Sequence, residues 1–363
     1  MNLKRCAWNK GNVQDIMSMS NKLKVSLINA KELTLDDYIH DIRIVWNRLD
    51  SERSIYDTWL HTVNHASKLG EEVRRGRFDK VLNELADITM WFLTFVGRLQ
   101  ESPKSRIIRI EEERLLYTPL SLTDIVWSKY PNICPVCFFR HYERSGENEL
   151  WGRKCDCLLN LRQVETRNEL LSTNEKDKLK KVAALSEYAA NTKNKHEKLS
   201  KVEDIQSMFE RIFEANIDNL SLESLTFHLL EEIGEVSDAL IRVYTYKKDS
   251  TPPAAKLYPQ RIANLENELA DVVSWIFAIC LKVKYLYEAY DELAQLPYRQ
   301  AMAPTPSRLS GSINFWEILW RRYGHPNAKS LWCPVCGVRI CECPVTFATD
   351  TEKQQAMGLS PNS

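Results

Sequence analysis

The chain carries no net charge, with 49 Lys and Arg against 49 Asp and Glu. No global basic field exists to draw nucleic acid non-specifically, and no acidic excess marks a wholly disordered chain. Long apolar runs are also missing. The most apolar stretch, from Asp271, is interrupted by Lys282 and Lys284 and is too short to span a bilayer. The first residues include positive charges but no apolar segment of the secretory kind. These absences lead to the expectation of a cytosolic protein with no membrane partner. There is no Gly-rich phosphate loop, no G-x-S-x-G elbow and no H-E-x-x-H motif. P-loop, α/β-hydrolase and zincin chemistry are therefore set aside.

What is present is a duplication. Asp37 precedes His61 by the same interval as Asp204 precedes His228. The string NELAD follows, at Asn83 and again at Asn267, each time with a Trp four residues after the Asp. DIVWSKY then ends at Tyr130 and EILWRRY at Tyr323; each is followed by C-P-V-C and later by C-x-C. Landmarks recurring in one order define two tandem units. Boundaries follow: a tail over 1–35, a first repeat over 36–160, a charged helical linker over 161–203, a second repeat over 204–345 and a tail over 346–363. The second copy has about 17 extra residues before NELAD, Pro-rich and polar, which suits a surface loop.

The repeats read as helix. Leu265, Leu269, Val272, Ile276, Ile279 and Val283 recur at spacings of three and four, as do Leu85, Ile88, Phe92, Phe95 and Leu99. No sustained alternation of period two is visible. The predicted fold class is all-α, two tandem helical bundles each followed by a small four-cysteine zinc knuckle.

Acids cluster beside these stripes. Glu268 and Asp271 lie three apart on one helix side. Upstream, Glu231, Glu232 and Glu235 form E-E-x-x-E and fall within an arc of roughly 100°. Either piece alone also fits a solvated helix face or a salt bridge. Together, on antiparallel helices, they would form a cage of oxygen donors suited to Mg²⁺, which keeps waters for a phosphate ligand. Lys282 and Lys284 lie further along, where they either reach phosphate oxygens or remain solvated.

This arrangement, E-E-x-x-E on one helix and E-x-x-D on the next, resembles MazG-like enzymes of the all-α nucleotide pyrophosphohydrolase superfamily. The resemblance covers most of residues 204–295. It implies a helical bundle, dependence on Mg²⁺, and cleavage of nucleoside triphosphates to monophosphate and pyrophosphate. It also implies that Glu232, Glu235, Glu268 and Asp271 ligate Mg²⁺, with Glu231 a further ligand or a water-orienting base. One departure is the long interval from Val236 to Asn267, read as a loop that would cover the pocket or alter substrate choice. Family enzymes commonly build their sites between paired subunits, so a tandem copy implies a pseudo-dimer within one chain, with or without further pairing.

In the first copy the positions of Glu231, Glu232 and Glu235 hold Asn64, His65 and Lys68, while Glu84 and Asp87 persist. That half is read as degenerate, with Lys68 pairing with one of the retained acids. Equivalence of His61 and His228 points to a shared structural role.

Cys134, Cys137, Cys155 and Cys157 form C-x2-C-x17-C-x-C; Cys333, Cys336, Cys341 and Cys343 form C-x2-C-x4-C-x-C. Four thiolates with no open position are the set for structural Zn²⁺. An iron–sulfur cluster or free thiols are the alternatives. The resulting expectation is a Mg²⁺-dependent nucleotide pyrophosphohydrolase with two zinc knuckles. Rival classes are a nucleotide-binding sensor without turnover and a zinc-organised interaction scaffold.

Overall fold

The computed structural model describes residues 30–101, 107–118, 121–134, 201–245, 252–294, 314–324 and 330–341, apart from isolated positions within these ranges. Residues 1–29 of the first tail, residues 161–200 of the 161–203 linker, most of the first Cys motif and the 346–363 tail lie outside the described residues.

In the first repeat, α1 (Leu35–Ser51), α2 (Ile55–Arg74) and α3 (Phe78–Glu101) are followed by a hairpin of β1 (Ile107–Glu111) and β2 (Arg114–Thr118), then by α4 (Leu122–Lys129). The second repeat comprises α5 (Val202–Asn219), α6 (Leu222–Thr245), α7 (Pro252–Ala294) and α8 (Phe315–Tyr323). The core is all-α as predicted. The antiparallel hairpin, which pairs Ile107 with Thr118 and Glu111 with Arg114, was not anticipated. Neither strand, IIRIE or RLLYT, alternates apolar and polar residues strictly, so no period-two signal marks them.

Local chemistry sets the helix boundaries. Thr34 and Asp37 exchange backbone-to-side-chain hydrogen bonds of 2.9 Å, a capping box that starts α1. Ser54 accepts from the Asp57 N–H at the head of α2. Gly76, at φ 67°, makes the left-handed turn between α2 and α3. Both predicted stripes are buried, along α3 and along α7. The stripe Leu222, Leu225, Leu229, Ile233, Val236 and Leu240 on α6 is buried too.

The interval from Val236 to Asn267 proves to be mostly helix. α6 runs on to Thr245 and α7 starts at Pro252, far upstream of Glu268. Of the prolines that suggested a loop, Pro252 and Pro253 sit in the first turn of α7, where a missing N–H costs nothing, while Pro259 lies inside the helix and removes one backbone hydrogen bond. The first repeat also starts earlier than residue 36. Ala30 and Leu35 are in the core, and the Tyr38 hydroxyl donates to the Ala30 carbonyl at 3.0 Å.

The two sets of helices pack against each other. α2 packs on α6, with Trp59 Nε1 donating to Ser237 Oγ at 2.7 Å. The starts of the two repeats meet at an antiparallel bridge, Thr34 with Lys201, flanked by Lys31–Glu203 and Lys201–Glu32 ion pairs. The short helices cross over: α4 packs on α7 and α8 packs on α3. Each is held at its start by its own repeat. Asp36 of α1 accepts from Ser121 Oγ and from the Leu122 and Thr123 N–H groups, at 2.9, 3.0 and 3.2 Å. Gln206 of α5 donates to Asn314 Oδ1 at 2.7 Å and accepts from the Phe315 N–H at 2.9 Å. No described helix is long and apolar enough to cross a membrane.

Asp36 satisfies N–H groups that α4 cannot satisfy itself. Replacing it, Asp36→Ala, is expected to lower stability by about 1–2 kcal/mol, read as a fall in the urea midpoint. An unchanged midpoint would show that α4 is held by other contacts.

Candidate functional site

α6 and α7 form an antiparallel pair, and their contacts run backward along one as they run forward along the other. His228 stacks on Trp275 (4.6 Å, 13°), Trp275 Nε1 donates to Glu232 Oε1 at 3.2 Å, Glu235 shares a hydrogen bond with Glu268, and Arg261 reaches the Arg242 carbonyl. One carboxylate oxygen each from Glu232, Glu268 and Asp271 falls within 4.8 Å of the others. Glu235 is exposed at the rim of this group. Glu231 lies outside it, on the solvent side, with its side chain 62% exposed and 3.3 Å from His228 Nδ1.

Crowding shifts these acids. Burial, then the charge of Asp271, pushes Glu232 up to about 7. Burial also pushes Glu268 up to about 7, against the pull of Lys129 and with help from Glu235 and Asp271. Glu232 Oε2 is buried and accepts no hydrogen bond. A buried carboxylate oxygen without a donor is costly, and it suits a hard cation.

The residues that sequence reasoning missed come from the other repeat. At the end of α4, Lys129 and Tyr130 both donate to Asp271. Lys129 also donates to the Asn267 carbonyl at 3.2 Å. Tyr130 is fully buried; burial and Asp271 raise its hydroxyl well above the usual range, so it remains a donor. The mirror contact is made by Arg322 and Tyr323 of α8 on Asp87 of α3, with Arg322 Nη2 2.6 Å from Asp87 Oδ2. The signal was in plain view. Both copies write an aromatic-containing helix that ends in a basic residue and a tyrosine, DIVWSKY and EILWRRY.

In the first repeat His65 takes the place of Glu232. Its Nδ1 lies 2.8 Å from Glu84 Oε2 and 3.6 Å from Asp87 Oδ2. His65 and Arg322 are thus seated on the first repeat's acids. The two halves differ in charge. In the first, two carboxylates face a guanidinium and an imidazole. In the second, four face one ammonium.

Lys282 and Lys284 do not line this cluster. Lys282 donates to the Ile217 and Asp218 carbonyls at 2.9 and 3.1 Å, capping the end of α5, and Lys284 is 3.5 Å from Glu210. Lys282 lies eleven residues past Asp271, about 16 Å along the helix. His61 stacks on Trp91 (4.0 Å, 11°) as His228 does on Trp275, so the shared role of the two histidines is a ring stack.

Cys333, Cys336 and Cys341 bring their sulfurs within 4.8 Å of one another, a set that could hold a metal such as zinc. The Cys333 N–H donates to the Val338 carbonyl and the Gly337 N–H to the Cys333 carbonyl, folding the chain into a tight turn. Gly337 sits there at φ 69°, where a side chain would be strained. The turn docks on the first repeat through the Cys341 N–H to the Val45 carbonyl at 2.7 Å. Cys134 is buried. Cys137, Cys155, Cys157 and Cys343 lie outside the described residues.

No protein family, no curated protein and no solved structure matches this chain. The reading of the site therefore rests on its chemistry.

A carboxyl raised to about 7 holds its proton in the folded chain where the unfolded chain has lost it. Between about pH 4.5 and 7 the unfolded state binds fewer protons, so stability falls as pH rises through that window. Glu232→Gln is expected to flatten this decline in metal-free protein, read as denaturant midpoints from about pH 4.5 to 8. An unaltered slope would place the titration elsewhere.

Proposed function

We propose that the acid cluster on α6 and α7 binds Mg²⁺ and that the chain hydrolyses nucleoside triphosphates to monophosphate and pyrophosphate. On this reading the chain holds two MazG-like bundles, an active second repeat and a degenerate first one, joined as a pseudo-dimer. The observation that carries the reading is the imbalance at Glu232, Glu235, Glu268 and Asp271. Lys129 offsets one charge, and Glu232 Oε2 is buried without a donor. Burying unpaired carboxylates costs several kcal/mol each, and oxygen donors of this kind suit hard cations such as Mg²⁺.

Glu232, Glu235, Glu268 and Asp271 would hold the metal. When bound, Mg²⁺ would neutralise phosphate charge and acidify a coordinated water. The chain's own residues contribute the rest. Lys129 and Tyr130 fix the Asp271 carboxylate from the first repeat. Trp275 orients Glu232 and stacks on His228, forming an aromatic side to the cluster. With Glu232 and Glu268 raised to about 7, each can hold or release a proton near neutrality. The role of Glu231 as a base follows from the resemblance alone. The Cys333, Cys336 and Cys341 turn would hold structural Zn²⁺, completed by Cys343, and the first Cys motif a second ion.

The Lys129–Asp271 pair favours one rival, a nucleotide-binding sensor, because it supplies a cation without a metal. Turnover decides between the two. Pyrophosphate release from a panel of ribo- and deoxyribonucleoside triphosphates with Mg²⁺ is expected for the wild type. Glu235→Gln and Glu268→Gln should each lower it by at least about tenfold to a hundredfold, the loss typical of disturbed metal shells. Nucleotide binding without release, unaffected by either change, would establish the sensor instead.

A further inference from the structure

The acid cluster is one end of a longer groove. On α6, Glu235, Asp238 and Arg242 follow at steps of three and four, so they share one helix side. On α7, Glu268, Asn264 and Arg261 do the same in the opposite direction. Because the helices are antiparallel, the two stripes face each other. They start at the Glu235–Glu268 contact and end at the arginines, two turns or about 10 Å away. Between them lies a cavity of about 550 Å³ lined by Asp238, Arg242, Gln260, Arg261 and Asn264. That size accommodates a small ligand. Its lining mixes two guanidinium groups, two side-chain amides and the Asp238 carboxylate with the apolar Ala239 and Ile241. Arg261 crosses the groove, its Nη1 3.4 Å from the Arg242 carbonyl. Arg242 is 2.6 Å from Asp238, and both side chains remain more than half exposed.

The first repeat is built differently here. Counting on from His61 sets Arg75 opposite Arg242, and counting back from NELAD sets Arg77 opposite Arg261. In the first repeat Arg75 and Arg77 pair with Glu71 and Glu72, at 2.5 Å each, as Arg242 pairs with Asp238 in the second. The turn at Gly76 closes the hairpin between them. In the second repeat the added residues extend α6 and α7 past the arginines, which separates the helices' ends from the site.

We propose that this groove is a polyphosphate subsite, in which Arg242 and Arg261 hold the terminal phosphates of the ligand while the acid cluster holds its metal. The proposal rests on the hydrolase reading above and gives the inserted residues a function. A chain of phosphates anchored beside Glu268 runs along the groove towards the guanidinium groups, whose forked donors match phosphate oxygens. Gln260 and Asn264 add amide donors along the way. A monophosphate is too short to engage both ends.

The test uses inorganic tripolyphosphate as the probe, titrated calorimetrically into the full chain with and without Mg²⁺. Arg242→Ala/Arg261→Ala is expected to weaken tripolyphosphate binding about tenfold or more while Mg²⁺ affinity stays at the wild-type value. The paired lysine variant should recover part of the loss. Wild-type tripolyphosphate affinity in the alanine variant, or a wild type that does not bind tripolyphosphate, would overturn the groove. A wild type that binds no Mg²⁺ would remove the hydrolase reading. Loss of Mg²⁺-independent tripolyphosphate binding in the alanine variant would still support the groove.

Discussion

Every distinctive feature of this molecule depends on carboxylates buried at the edge of an apolar helix stripe. The E-x-x-D pair of each repeat starts on a helix that must also pack a core, α3 or α7, so its acids cannot turn wholly to water. Removing such charges from water is expensive, and each must find a proton, a donor or a cation. The fold answers part of this demand by crossing over. Asp87 is held by Arg322 and Tyr323, and Asp271 by Lys129 and Tyr130, each pair contributed by the opposite repeat. The same contacts lock the two repeats together. Charge compensation and assembly are one interaction in this chain.

Duplication gave the halves room to diverge. In the first, His65 stands where the second has Glu232 and contacts Glu84, and Arg322 pairs with Asp87. In the second, Glu232 and Glu235 remain, and a single ammonium leaves the acids in excess. The two halves share helices, ring stacks and clamps, and among the described residues they differ in a few side chains of the site, in helix length and in the hairpin of the first. The first copy delivers Lys129 and Tyr130 to its sibling, and it is the surface on which the Cys333 turn docks.

Much of this was legible in the sequence, because duplication supplies its own control. Helical stripes, the grouping of Glu232 with Glu268 and Asp271, and the gathering of Cys333, Cys336 and Cys341 all agree with the spacing. Spacing fails where a contact depends on how two elements meet. Nothing in DIVWSKY says which acid its lysine will find, since α4 and Asp271 are far apart in the chain. The inserted segment misled because prolines signal loops. At a helix start the same residue is compatible with the helix, and the interval from Val236 to Asn267 is largely two extended helices. Glu231 was grouped by helical arc with its neighbours, yet one residue's rotation suffices to carry it to the solvent side. Lys282 and Lys284 lie on the same helix as Glu268 but serve α5.

The central claim is that acids in the second repeat exceed what the chain's own cations offset, and that a divalent ion makes up the difference. Calorimetric titration of Mg²⁺ into the full chain, compared with Glu232→Gln/Glu268→Gln, tests this most directly. Saturable binding is expected for the wild type and is expected to disappear in the double variant, while His65→Ala in the first repeat leaves it intact. Absence of binding to the wild type, or binding that survives loss of both glutamates, would contradict the claim.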